Sequence, residues 1–96
     1  MPFLYRLLPP RPTFAQDMSP EEAEVMGRHV GYWQDLLDRR VALAFGPVLD
    51  PKDPWGLGLL DVDEEGEARA IGERDPAVQS GTCTYEPVPM QLVRPN

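Results

Sequence analysis

Apolar residues fill Phe3 to Leu8 except at Arg6, and the run ends at Pro9-Pro10-Arg11-Pro12. Proline has no amide donor and a fixed φ, so the segment predicts one strand followed by a stiff loop. The helix that comes next carries a complete start signal. Ser19 stands at the cap, Pro20 suits the first helical position, and Glu22 closes a capping box. Ala23, Met26, Val30, Trp33 and Leu37 then recur at steps of three and four, which makes one apolar stripe on a helix of about 3.6 residues per turn. His29 lies three residues after Met26 and four before Trp33, so it is expected on the flank of that stripe, half sheltered.

Val41 to Val48 reads as a second strand closed by Gly46-Pro47, and the loop through Asp50-Pro51-Lys52-Asp53-Pro54 leads to a third, Trp55 to Val62. These two should pair as a hairpin. Gly56 and Gly58 share a side-chain parity, so one face of the third strand admits a helix, another backbone or a ligand closely. The acids between Asp61 and Glu65, with Gly66, look like the start of a calcium loop, but Gly72 stands where that loop needs its bidentate glutamate. They read better as the entry to a second helix, capped by Asp63, with Glu64, Glu65 and Glu67 at the positive end of its dipole. This helix is expected to run to about Arg74, with Ala68, Ala70 and Ile71 towards the core. Asp75 precedes Pro76, which pushes it out of helical conformation. Thr82 to Val93 alternates as a closing strand, and Pro87 and Pro89 assign it to an edge or a kinked end.

Strand, helix, strand, strand, helix, strand is the order of a ferredoxin-like α+β fold, βαββαβ, in which an antiparallel four-stranded sheet carries both helices on one face. With 96 residues the chain is a single domain, 1–96, too small to enclose a large site by itself. The sheet face without helices needs covering, and a second copy stacked on it would give a homodimer.

Charge and composition narrow the partners. Nine basic residues against 16 acidic ones leave a net charge of −7, and the basic residues are scattered. That balance argues against nucleic acid, whose phosphates need a cluster of cations, and against a polybasic membrane patch. No run approaches the roughly 20 apolar residues of a membrane span, and the N-terminus lacks the pattern of a secretion signal. A cytoplasmic location is expected. Cys83 has no partner for an internal disulfide and, in a strand, reads as a small buried hydrophobe. One histidine and no ligand cluster leave too few donors for a metal or haem site, so no cofactor is expected.

Two residues carry candidate chemistry. His29 is the only histidine, and Asp75 is a lone carboxylate set against a proline where a helix stops. On two different helices they form an acid/base pair only if the fold brings them together. A structural reading of His29, packed or capping at the core edge, stands beside that one.

The segments His29-Val30-Gly31-Tyr32-Trp33, Val41 through Gly46-Pro47, and Glu73-Arg74-Asp75-Pro76-Ala77-Val78-Gln79-Ser80-Gly81 resemble the YCII-related (YciI-like) proteins of the dimeric α/β-barrel group. The resemblance covers nearly the whole chain in order. It implies that His29 and Asp75 form the catalytic pair, and that Trp33, Phe45, Gly46, Pro47, Ser80 and Gly81 contact the substrate. One relative in that family is a dehydrochlorinase of a chlorinated hydroxyhydroquinone. The proline-rich segment from Pro9 to Asp17 is longer than in the shortest members, so a difference in the pocket walls is expected and the substrate does not transfer.

In such a pair Asp75 would orient one ring nitrogen and leave the other facing substrate. Proton transfer of that kind contributes about 10² to 10⁴ in rate, which suits isomerisation or elimination on an activated ring. The leading expectation is a cofactor-free lyase or isomerase acting on a small cyclic or aromatic molecule, with Tyr32 among the further pocket walls. A non-catalytic ligand-binding or dimerisation module, in which His29 and Asp75 merely lock the helices, is the alternative. A cofactorless oxygenase is a third.

Overall fold

A computed structural model describes residues 1–95; Asn96, the last position of the domain expected over 1–96, lies outside the described residues. The elements in chain order are β1 (Phe3–Leu8), α1 (Phe14–Asp17), α2 (Pro20–Asp38), β2 (Ala42–Val48), β3 (Trp55–Leu60), α3 (Glu65–Arg74), α4 (Pro76–Gln79) and β4 (Thr84–Pro89). All strand pairings are antiparallel, and the sheet order is β2-β3-β1-β4. The helices lie on one face, as the ferredoxin-like expectation requires. The strand with Pro87 and Pro89 occupies an edge, where a missing amide leaves no ladder partner unpaired.

Local signals set the ends of α2. Ser19 accepts from the Glu22 amide at 3.1 Å while the Glu22 carboxylate accepts from the Ser19 amide at 2.9 Å, which is the capping box read from the sequence. The acidic stretch behaves differently at the second helix. Asp63 does not cap it; Glu64 takes the cap position without a side-chain hydrogen bond, and the helix starts at Glu65. The backbone leaves the helix at Asp75 with ψ 124°, and Asp75 then caps α4, a short turn that the spacing alone did not reveal.

Phe3, Tyr5 and Leu7 point from β1 into the core beneath the helices, with Val25, Trp33 and Leu36 from α2, Leu60 from β3, and Ala68, Ala77 and Cys83. The glycine-bare face of β3 is filled by a helix side chain. A methyl added to Gly58 would lie 2.4 Å from the Trp33 ring, so only glycine lets the indole lie against the strand. The opposite sheet face presents Leu4, Leu57, Leu59 and Val88, with Arg6 bonded to Glu86 across the strands.

The orientation of α2 departs from the expected stripe. Val25, Trp33 and Leu36 are its buried residues, whereas Ala23 is exposed and Val30 is 51% exposed. The helix in fact has two apolar faces. One packs on the sheet, and the other, holding Met26 and Val30, borders a cavity. His29 falls on the sheet-facing side, between Leu36 and Trp33 in angle, and is partly buried.

Candidate active site

Asp75 is fully buried, an expensive position for a carboxylate. Four donors from three parts of the fold compensate it. Tyr5 of β1 donates its hydroxyl to Oδ2 at 3.0 Å, and Trp33 of α2 donates Nε1–H to the same oxygen at 2.9 Å. The Ala77 amide, at the start of α4, donates to Oδ1 at 2.9 Å. His29 completes the set, with Nδ1 lying 2.9 Å from Oδ1 and 3.0 Å from Oδ2.

Burial alone raises the Asp75 pKa. The hydrogen bond and charge of His29, with the bonds from Trp33 and Ala77, outweigh burial and hold the group below the ordinary carboxylate range. The same carboxylate pushes Tyr5 the other way: burial first, then the charge of Asp75 and the bond to it, raise the phenol's pKa, so Tyr5 stays a neutral donor. An ionised carboxylate only accepts, so the proton on the facing imidazole nitrogen sits on Nδ1. In the neutral imidazole the lone pair is then on Nε2. It has no protein partner among the described residues and is not sealed off by them, since no buried polar atom is left unsatisfied.

His29 lies in the wall of a cavity of about 290 Å³, open on one side. Its floor is formed by Tyr5, Leu7 and Gly56 of the sheet and by Trp33, and the edge strand β2 adds Phe45 to Val48. Its roof is the proline-rich segment between β1 and α2, through Pro9, Pro12, Phe14 and Met18. Arg11 pins that roof. Its guanidinium donates to both oxygens of Glu22, at 3.0 and 2.7 Å, and to Asp17 at 2.7 Å. The bonds from Arg11, then that from the Ser19 amide, hold Glu22 down to about 2. The capping box of α2 and the roof of the cavity therefore share one carboxylate.

The fold brings together His29, Asp75, Trp33, Phe45, Gly46 and Pro47, the last four and His29 all lining the cavity. Trp33 does so with its indole N–H already given to Asp75. Ser80 and Gly81 lie elsewhere. Ser80 lines a separate shallow depression with Arg28, Pro76 and Gln79, and Gly81 makes the turn into β4 with φ 78°, a conformation that glycine adopts freely. Tyr32 does not line the cavity either; its hydroxyl donates to the Ile71 carbonyl at 2.8 Å and ties α2 to α3. Sequence reasoning missed Tyr5. It stood in an apolar run read only as a strand, and nothing local places a phenol opposite a carboxylate 70 residues away.

Cys83 is buried, and burial followed by the charge of Asp75 pushes its thiol up to about 11, so it is an inert core residue. Among the described residues no helix is long and apolar enough to cross a membrane, and no group of three acidic, histidine or cysteine side chains is placed to hold a metal ion.

No curated protein matches this chain. Among solved structures it is similar to the 5-chloro-2-hydroxyhydroquinone dehydrochlorinase of Burkholderia phenoliruptrix, in complex with 2,5-dihydroxybenzoquinone. That match has a TM-score of 0.63 at 21% identity and covers 90% of this chain and 91% of the other, a likeness of fold. The model of the YCII-related domain matches residues 3–91, nearly the full length, and on that match the chain belongs to the YCII-related domain family.

Proposed function

We propose that this protein is a cofactor-free, dehydrochlorinase-like lyase in which His29 is the general acid/base and Asp75 its orienting carboxylate. The observation that carries the proposal is the asymmetry of the imidazole: Nδ1 is held at 2.9 Å by a buried, ionised carboxylate, while Nε2 has no partner among the described residues and the residue lines an open apolar cavity. A cavity of about 150 Å³ holds benzene. The space here, about 290 Å³, suits one substituted ring. Trp33, Phe45, Gly46 and Pro47 are proposed as its walls; Ser80 and Gly81 are not proposed as contacts.

On a ring with two para hydroxyls and a chlorine beside one of them, the chemistry balances without a cofactor. Nε2 takes the proton of the hydroxyl next to the chlorine, the imidazolium forms an ion pair with Asp75, and the proton is returned to the carbon that bears chlorine. That carbon is now tetrahedral beside a ketone. Loss of the second hydroxyl proton drives electrons through the ring, the C–Cl bond breaks with its electron pair on chloride, and a quinone and HCl result. The fold likeness to a dehydrochlorinase supports this class of reaction. Chloride release from chlorohydroquinone under anaerobic conditions tests it. His29→Asn should lower kcat/KM by about 10² to 10⁴ while the melting temperature changes far less; an unchanged rate would remove His29 from the mechanism.

A second reading has its own support, since the donors gathered on Asp75 link α2, β1 and α4 and would serve a purely structural lock. The open cavity lined by His29 favours the enzyme, because a lock needs no opening beside the imidazole. The apolar sheet face around Leu4, Leu57 and Leu59 supports a homodimer through that face, which light scattering in solution tests.

A further inference from the structure

The cavity walls are marked by what they lack. None of the lining residues is Lys, Arg, Asp, Glu, Asn, Gln, Ser or Thr, and the surface inside is almost entirely carbon. Polar groups belong to Tyr5, His29, Trp33 and Trp55 alone among the lining side chains. Tyr5 and Trp33 have already given theirs to Asp75. A ring entering this space meets one strong hydrogen-bonding group, Nε2 of His29, with the Trp55 indole as the only other side-chain donor.

We propose, resting on the lyase reading above, that this site takes a halogenated hydroquinone whose ring edges carry only hydrogen, halogen or alkyl groups, and that it discriminates against rings bearing a further hydroxyl or a carboxylate. One hydroxyl of such a ring bonds to Nε2. The other, para to it, points away and reaches the open side of the cavity. The remaining ring positions lie against carbon: Met18 and Phe14 of the roof, Met26 and Val30 of α2, Phe45 and Pro47 of β2. A hydroxyl added there gives up its water and finds no replacement. A carboxylate fares worse. No lining residue is a cation, and the ionised Asp75 stands directly behind the imidazole. Chlorine and methyl groups instead add apolar contact at each of those positions.

The inference is tested on the full chain by ligand-dependent quenching of tryptophan fluorescence, since Trp33 and Trp55 both line the cavity. The probes are 2,5-dichlorophenol, 1,2,4-trihydroxybenzene and 2,5-dichlorobenzoate, none of which can lose HCl by the route above. Dichlorophenol should bind roughly 10- to 100-fold more tightly than trihydroxybenzene, the range that an apolar pocket achieves against one or two extra hydroxyls. Dichlorobenzoate should bind more weakly than dichlorophenol, and Met18→Lys, which adds a cation to the wall, should raise its affinity at least tenfold. Equal or tighter binding of trihydroxybenzene or dichlorobenzoate overturns the proposal, as does no binding of dichlorophenol or no gain from Met18→Lys. Chloride release from 2,5-dichlorohydroquinone is measured beside these. Tight dichlorophenol binding without chloride release removes the lyase reading and leaves the cavity's preference standing; release with the binding order reversed does the opposite.

Discussion

Replacing Asp75 by Asn changes one atom's chemistry at nearly constant volume, and the cost follows from the donor set. The carboxylate accepts Tyr5 and Trp33 at Oδ2, Ala77 at Oδ1, and His29 at both oxygens. An amide supplies only one accepting oxygen. With that oxygen at the Oδ1 site, the new NH₂ confronts the Trp33 N–H; with it at the Oδ2 site, the NH₂ confronts the Ala77 amide. Either way two buried donors face each other, at about 1–3 kcal/mol for each unsatisfied group. Whenever the imidazole is protonated the charge that pairs with it is also lost, and breaking a buried pair typically costs about 3–5 kcal/mol. We expect Asp75→Asn to lose about 3–5 kcal/mol in urea unfolding with an unchanged m-value. The pH dependence gives an independent check. The folded-state pKa of Asp75 is depressed, so its contribution is fully present above the unfolded value of about 3.9 and is lost as pH falls through the lower folded value. The variant should therefore lose a part of the acid limb below about pH 4 that the native protein shows. The remainder belongs to Glu22 and Asp17, which are depressed in the same direction by their hydrogen bonds to Arg11, Ser19 and Thr13. A loss under about 1 kcal/mol, or identical acid limbs in the two proteins, would refute this account of the buried carboxylate.

Gly58→Ala places a methyl 2.4 Å from the Trp33 ring, and the indole can move only by giving up its bond to Asp75, so a loss of about 1–3 kcal/mol is expected with altered near-UV circular dichroism. A native spectrum at unchanged stability would show that the close contact is dispensable. Ser19→Ala removes the accepting oxygen of the α2 cap and should cost about 1 kcal/mol in thermal or urea unfolding. Cys83, with its thiol pushed up to about 11 and buried, should react with a thiol reagent at pH 8 only at the rate of opening, and denaturant should accelerate the labelling sharply; fast labelling of the native protein would contradict the packed site.

Some of the site was legible before any coordinates. His29 and Asp75 stood out because one is the sole histidine and the other is forced out of a helix by Pro76, and both properties belong to the local chain. Phe45, Gly46 and Pro47 were expected at the pocket by family resemblance, and they line it. The expectation for Ser80 and Gly81 had the same origin but did not lead to the cavity, because Gly81 answers to a positive φ in the turn to β4. The apolar stripe of α2 was only half read. Met26 and Val30 have the spacing of core residues, but their side chains border an apolar cavity, and periodicity does not distinguish a cavity wall from a core.

What the sequence determined by itself is the part governed by neighbours along the chain. The start of α2 at Ser19, Pro20 and Glu22, the break at Asp75 and the edge position of the strand holding Pro87 and Pro89 depend on amide donors and φ restrictions within a few residues. What only the tertiary structure decided is which donors meet. Tyr5, Trp33 and His29 lie 70, 42 and 46 residues from Asp75, and they converge because β1 is central in the sheet while α2 crosses above it. The state of the carboxylate follows from that meeting. Burial without those donors would raise its pKa, and with them it remains a charge that fixes the Nδ1 proton of His29.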